Sequence, residues 1–379
     1  MEVELSVVMP CLNESRTIAV CVEKALNTLE KLKIEGEVVV ADNGSTDGSQ
    51  LLAEEAGARV VNVKEKGYGA AYLGGIPEAY GKYIVVGDSD DTYDFTDLER
   101  FIAPLREGYD FVIGNRLGGN IEKGAMPWAN RYIGNPFLSA FLNRLFKTGV
   151  SDAHCGMRAF TREAFDKMEL QTTGMEFASE MVIKASMADL KIKQFPITLH
   201  RSKYERTPHL RPLPDGWRHL RFMLMYSPTH LFLAPGSIML GIGLAILLIL
   251  IHGPVQIGGH GYDQHFMIVG SLLAIMGFQV ITLGLYAKAY AYREHIASDQ
   301  FIEKFYRKFT LEKGLYSGLT ITLVGLCLML YLLYKFVFVS GYFYELRVAI
   351  FGMTLIVIGI QTVFSSFLLS IMNIDSGDK

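Results

Sequence analysis

In its N-terminal part the chain alternates short apolar runs with amphipathic stretches, whereas towards its C-terminal end it becomes almost continuously apolar. Leu5 to Met9, Glu37 to Ala41, Ala58 to Val63 and Tyr83 to Val86 have the length and β-branched character of buried parallel strands. Between the first two, Ile18, Val22, Leu26 and Leu29 recur on one helical face. Strand and helix signals in alternation predict an open, parallel α/β sheet covered on both faces. The runs end in polar clusters: Pro10-Cys11-Leu12-Asn13-Glu14, Asp42-Asn43-Gly44-Ser45-Thr46-Asp47 and Gly87-Asp88-Ser89-Asp90-Asp91. In such a sheet the carboxyl ends of the strands form the ligand-binding rim. Further along, Phe111 to Arg116 reads as another strand, Trp128 to Lys147 as a long helix carrying Arg131 and Arg144, and Phe177 to Ala188 as a helix.

Four apolar segments follow, at 231–251, 266–290, 316–339 and 348–372, each long enough for roughly 30 Å of hydrocarbon. The predicted organisation is an α/β domain at 1–200, a basic loop and interfacial helix at 201–229, and a four-helix membrane domain at 230–379. From 200 to 221 the sequence is basic, with Arg201, Lys203, Arg206, Arg211, Arg218 and Arg221 against Glu205 and Asp215. Beyond Asp215, Trp217, Leu220, Met223 and Leu224 share a helical face beside Arg218, His219 and Arg221, the pattern of a helix lying at a lipid surface. The 285–315 connection is rich in Lys and Arg, while 252–265 has none. The positive-inside rule therefore puts 285–315, both termini and the α/β domain in the cytosol. Small residues such as Gly236, Gly241, Gly243, Gly270, Gly277 and Gly284 suit close helix packing within a chain or between chains in a homo-oligomer.

Composition sharpens this picture. Half of the 379 residues are hydrophobic and the formal net charge is −3, which argues against a nucleic-acid partner. The acidic start, Met1-Glu2-Val3-Glu4, is not that of a cleavable signal. Four scattered cysteines show no metal-ligand spacing and read as free thiols in a reducing compartment. The densest chemistry is the acidic cluster after Tyr83 to Val86. Three carboxylates within four positions are costly unless a cation or backbone N–H groups answer them. Asp88 and Asp90 can share one hard cation, Mg²⁺ or Mn²⁺, provided the chain turns there; a helix-capping turn is the plainer alternative.

Pro10-x-x-Asn13-Glu14, Asp42-x-Gly44-Ser45-x-Asp47 and Asp88-x-Asp90, at these separations, resemble the family 2 glycosyltransferases of GT-A fold. The resemblance implies that Pro10, Leu12, Glu14, Val40 and Asp42 line a nucleoside pocket. It also implies that Asp88, Ser89 and Asp90 meet ribose, diphosphate and metal. The family often has an aromatic residue at Leu12, a second Asp at Asn43 and, in relatives with lipid acceptors, Gln at Thr92; a third metal ligand is left open between Asp91 and Thr92. Gly114-x-Arg116, Arg131 and Cys155-Gly156-x-Arg158 resemble the branch that makes polyprenyl-phosphate sugars. By that resemblance Arg116 and Arg131 face an acceptor phosphate, and Arg206 with Arg211 lies in a basic loop contacting the donor. Glu176 and Glu180 are candidates for sugar hydroxyls or plain helix-surface charge.

The implied reaction is metal-dependent, inverting transfer of glucose or mannose from a UDP- or GDP-hexose to dolichyl or undecaprenyl phosphate at a bilayer. A phosphate monoester is largely a dianion at neutral pH, so it needs cationic positioning rather than a base. A processive polysaccharide synthase is the competing enzyme reading, although its Gln-x-x-Arg-Trp signature is not found. A catalytically inactive membrane adaptor is the non-enzymatic one.

Overall fold

The structure, a computed structural model, describes residues 3–202, 204, 212–293, 304–305, 308–340 and 345–372. The chain forms two compact units, Met1–Met223 and Leu224–Lys379. In the first, strands β1 (Leu5–Cys11), β2 (Gly36–Asp42), β3 (Arg59–Asn62) and β4 (Tyr83–Val86) are joined through helices α1 (Ile18–Leu32), α2 (Ser49–Glu55) and α3 (Tyr68–Gly75). After them come α4 (Leu98–Arg106), β5 (Phe111–Ile121), α5 (Asn135–Phe146), β6 (Arg158–Thr161), α6 (Arg162–Met168), α7 (Phe177–Met187), β7 (Ile192–Leu199) and α8 (Pro212–Met225).

The seven strands lie in the order β3-β2-β1-β4-β6-β5-β7. β1 is central and pairs in parallel with β2 and β4; Val7, Val8, Val39, Ile84 and Val85 are fully buried between the helical layers. Pairing of Cys11 with Asp42 and of Val8 with Val86 brings the polar ends of three strands to one rim. The sheet is mixed rather than parallel, because β6 runs antiparallel between β4 and β5. Arg158 to Thr161 is not a continuous apolar run like Tyr83 to Val86, and Thr161 immediately caps α6 by accepting from the Ala164 N–H. This antiparallel pairing has a functional effect: opposite Val86 stands Arg158, so the residues before Arg158 run alongside Gly87 and Asp88.

The second unit contains helices α9 (Ala234–Leu250), α10 (Gln264–Arg293), α11 (Leu311–Lys335) and α12 (Leu346–Met372), with a small hairpin of β8 (Val255–Ile257) and β9 (His260–Tyr262) between α9 and α10. Four helical stretches, Thr229–Leu250, Gln264–Arg293, Leu311–Val339 and Leu346–Met372, are long and apolar enough to cross a membrane. Glycines let them approach closely. A Cβ on Gly236 would stand 2.9 Å from the Ile281 backbone nitrogen, and one on Gly325 2.7 Å from the Gly352 carbonyl oxygen. The glycines at 236, 243, 270, 277 and 284 thus meet neighbours of their own chain, whereas a Cβ on Gly241 would meet nothing within 4 Å. Ser271 and Thr354 share a 2.7 Å hydrogen bond that ties α10 to α12, and Arg347 pairs with Asp263.

Gly325→Leu is expected to force α11 and α12 apart at a cost of about 1–3 kcal/mol. A lower melting temperature of the detergent-solubilised chain, relative to Gly241→Leu where a Cβ meets nothing within 4 Å, is the check.

Candidate active site

A cavity of about 630 Å³ opens at the strand rim of the first unit. Pro10 near the end of β1, Leu12 and Glu14 after it, Asn43 after β2, Gly67 and Tyr68 at the start of α3, Met175 before α7, and Asp88, Ser89 and Asp90 after β4 line it. The Ser89 hydroxyl donates to the Pro10 carbonyl at 2.6 Å, tying the β4 and β1 loops together. Four of the residues expected around a nucleotide, Pro10, Leu12, Glu14 and Ser89, therefore stand together with Asp88 and Asp90.

The three carboxylates after β4 are answered separately. Asp91, in a left-handed conformation (φ 56°), pairs with Lys24 of α1 at 2.5 Å and is buried against it. Its carboxylate is directed to Lys24, and it is not among the residues that line the cavity. Asp90 accepts from the Thr92 hydroxyl at 2.5 Å and from the Thr92 N–H at 3.1 Å. Thr92 is thus a support for Asp90. Asp88 accepts from the Tyr68 hydroxyl at 3.0 Å, and Gly156 lies so close that a Cβ there would be 2.7 Å from Asp88 Oδ2. Burial, then the Asp88 charge, push the Tyr68 hydroxyl well above the usual tyrosine range, so it remains a donor. Among the described residues no three His, Cys, Asp or Glu side chains cluster to hold a metal unaided. Two carboxylates on one cavity wall still suit a hard cation that keeps water and takes ligand phosphates as its other partners.

Val40 and Asp42 do not line the cavity. Val40 is a fully buried residue of the sheet core. The Asp42 carboxylate organises the loop behind the wall, accepting from Gly44 N–H at 2.9 Å, Ser45 N–H at 3.0 Å and Gln50 Nε2 at 2.5 Å. Burial alone would raise its pKa; the hydrogen bonds from Ser45, Gln50 and Gly44 outweigh it and hold it below the ordinary carboxylate value.

Arg116 requires the largest revision. Its Nε and Nη2 donate to the two oxygens of Asp152 at 2.7 and 2.8 Å, and its backbone N–H donates to Asp152 Oδ2 at 3.0 Å. The residue is 8% exposed and Asp152 0%. A guanidinium paired on two nitrogens with a buried carboxylate braces the 152–158 segment, and Arg116 is not among the residues that line the cavity. Arg116 Nη1 also reaches the Tyr93 hydroxyl at 3.4 Å, and that hydroxyl accepts from the Gly156 N–H at 2.8 Å. Arg158 is likewise buried, donating to the carbonyls of Cys155, Ala178 and Ala153. Arg131 donates to the Ile121 carbonyl at 3.1 Å and lies 5.3 Å from the Tyr132 ring centroid, apart from the cavity-lining set. Arg206 and Arg211 lie outside the described residues.

Sequence reasoning passed over three features. Tyr68 sat unremarked between two glycines. Asp152 was legible only as one more acid, since nothing local distinguishes a buried one. Around Arg131, Trp128, Tyr132, Ile133 and Phe137 are each more than half exposed, an apolar ridge before and along α5. The lipid-surface pattern expected of α8 holds only for Trp217, Arg218 and Arg221, which are exposed, whereas His219 and Met223 are buried. His219 Nδ1 shares a 2.8 Å hydrogen bond with Ser179, whose hydroxyl is 3.2 Å from His154 Nε2. Glu180 is also fully buried, accepting from the N–H groups of Gln171 and Thr172 and from the Thr172 hydroxyl at 2.6 Å. It secures a loop and is withdrawn as a partner for sugar hydroxyls.

Residues 6–169 match the family described as glycosyl transferase family 2, and residues 285–373 match the family 2 C-terminal transmembrane region. The chain is 43% identical over 369 residues to the low-salt glycan biosynthesis hexosyltransferase Agl6 of Haloferax volcanii, covering 96% of this chain and 88% of that one. It is 32% identical over 197 residues to the dolichyl-phosphate hexose transferase of the same organism, covering 51% and 82%. To the dodecaprenyl-phosphate galacturonate synthase of Rhizobium johnstonii it is 24% identical over 326 residues, covering 80% and 93%.

Two outcomes are expected. Asp152→Ala strands a buried guanidinium and should destabilise the chain by about 3–5 kcal/mol, read by denaturant unfolding. Burial lowers the His219 pKa from 6.5 to about 4. The unfolded chain then binds a proton that the folded one refuses, so stability falls as pH drops from 6.5 towards 4, by up to about 3 kcal/mol. His219→Gln should make that slope shallower in pH-dependent melting, the remainder coming from His154, which burial also holds below its ordinary value.

Proposed function

The chain belongs to glycosyltransferase family 2, and from that premise we propose that it transfers a hexose from a UDP- or GDP-hexose to a polyprenyl phosphate at the cytosolic face of a membrane. The observation that carries this reading is the shared cavity wall: Asp88 and Asp90 face the same 630 Å³ space as the ends of β1 and β2, in a chain that also has four membrane-capable helices. The names of the relatives above supply the acceptor class, a polyprenyl phosphate, and the hexosyl chemistry.

Pro10, Leu12 and Glu14 would hold the nucleoside, with Ser89 fixing their loop to the acidic cluster. Asp88 and Asp90 would hold Mg²⁺ or Mn²⁺, which when bound neutralises charge on the departing diphosphate. One oxygen of the lipid phosphate attacks the anomeric carbon as the bond to the diphosphate breaks, inverting that centre. No proton has to be removed, because the monoester's second pKa is near 6. That fits the engagement of Glu180 by its own loop. Arg131, on the ridge of Trp128, Tyr132, Ile133 and Phe137, is the cation we assign to the lipid headgroup, with the apolar side chains in the bilayer surface. Arg206 and Arg211 are assigned to the donor diphosphate on charge and position in the chain. The direct contact first expected of Arg116 is replaced by bracing of the 152–158 segment.

Membranes carrying the chain, given radiolabelled nucleotide hexoses and one polyprenyl phosphate, should form a lipid-linked monosaccharide. Asp90→Ala should reduce the rate by roughly two orders of magnitude or more without loss of folding. Polymer instead of lipid-linked monosaccharide, or turnover that persists in chelator, overturns the reading. Arg131→Ala should raise the apparent KM for the lipid acceptor and leave that for the nucleotide sugar unchanged.

A further inference from the structure

Asp88 is constrained from two sides by groups outside the acidic cluster. The Tyr68 hydroxyl donates to Oδ1 at 3.0 Å, while Gly156 leaves Oδ2 the space that any larger residue would occupy, a Cβ falling 2.7 Å from it. Each constraint is itself braced. The Tyr68 ring meets the edge of Tyr72 at 5.1 Å, and Tyr72 stacks on Phe177 at 5.5 Å, both nearly fully buried. The backbone under Tyr68 is pinned where Gly69 N–H donates to the Gly174 carbonyl at 3.2 Å and Ala70 N–H to the Thr173 carbonyl at 3.0 Å. Gly67 and Gly69 allow that approach, since a Cβ on either would collide with the carbonyl oxygens of Thr173 and Thr172. On the other side, Gly156 is held through its N–H by Tyr93, next to the Arg116–Asp152 pair.

We propose that Tyr68 is a positioning residue which, opposite Gly156, fixes the orientation of the Asp88 carboxylate before a divalent cation and nucleoside diphosphate arrive, and so sets cation affinity and choice. The proposal rests on the reading of Asp88 and Asp90 as the cation-holding pair. A carboxylate free to rotate must be ordered when the cation binds, whereas one already hydrogen-bonded on Oδ1, with Oδ2 in the space that Gly156 leaves, has part of that order in place. The effect is larger for Mg²⁺, which demands near-ideal octahedral geometry, than for a more tolerant cation.

The test uses the full-length chain in detergent, stripped with chelator. Mn²⁺ binding is followed by electron paramagnetic resonance with UDP or GDP present, and Mg²⁺ binding by competition. Tyr68→Phe should weaken Mn²⁺ binding about tenfold and Mg²⁺ binding by a larger factor, with the metal-free melting temperature within a few degrees of the parent. Gly156→Ala, which pushes on the opposite oxygen, should change the same two constants in the same direction, and carries the test should Tyr68→Phe fail to fold. Unchanged Mn²⁺ affinity and an unchanged Mg²⁺/Mn²⁺ ratio in a folded variant overturn the proposal. Absence of nucleotide-dependent Mn²⁺ binding in the parent chain overturns the underlying assignment of Asp88 and Asp90 instead, and Asp90→Ala separates the two: it loses binding only where that assignment holds.

Discussion

Three carboxylates crowd the end of a four-residue strand, and most of the local architecture follows from how their mutual repulsion is relieved. Coulomb energy between like charges a few ångströms apart is several kcal/mol even in a partly solvated site. Asp91 turns back through a left-handed backbone to Lys24, which removes one charge from the problem. Asp90 is drawn to the hydroxyl and N–H of Thr92, two positions on. Asp88 is directed by Tyr68. What remains at the cavity is a pair of oriented acids.

Several charges of the surrounding framework are satisfied by partners within the fold. Buried ion pairs add little net stability compared with apolar packing, but they cost heavily when broken, so they favour one arrangement over alternatives. Arg116 with Asp152 does this for the segment that carries Gly156, and Glu180 does it for the 171–174 loop under α3. Both were attractive as substrate contacts when read as isolated charges. Their burial and internal partners give them a scaffolding part in the fold.

The membrane unit follows a different logic. In hydrocarbon there is little apolar driving force between helices, so close approach of backbones replaces it. Glycines at 236, 243, 270 and 277 serve α9 with α10, and those at 318, 325, 352 and 359 serve α11 with α12. The Ser271–Thr354 hydrogen bond adds a polar contact where water is excluded.

The local hydrophobic pattern specified the strands around the site, the four apolar spans and the place of the acidic cluster at a strand end. Strand β4, a continuous apolar run, was legible to the residue, and Pro10, Leu12, Glu14, Ser89, Asp88 and Asp90 do share a cavity wall. That β6 enters the sheet antiparallel emerges only in the folded chain, since Arg158 to Thr161 has no such run and pairing is a long-range choice. That one choice carries Gly156 to Asp88 and Asp152 to Arg116. Whether an ionised side chain meets a ligand or a partner from another element depends on burial and on distance across the fold, and neither quantity is present in the order of residues along a chain.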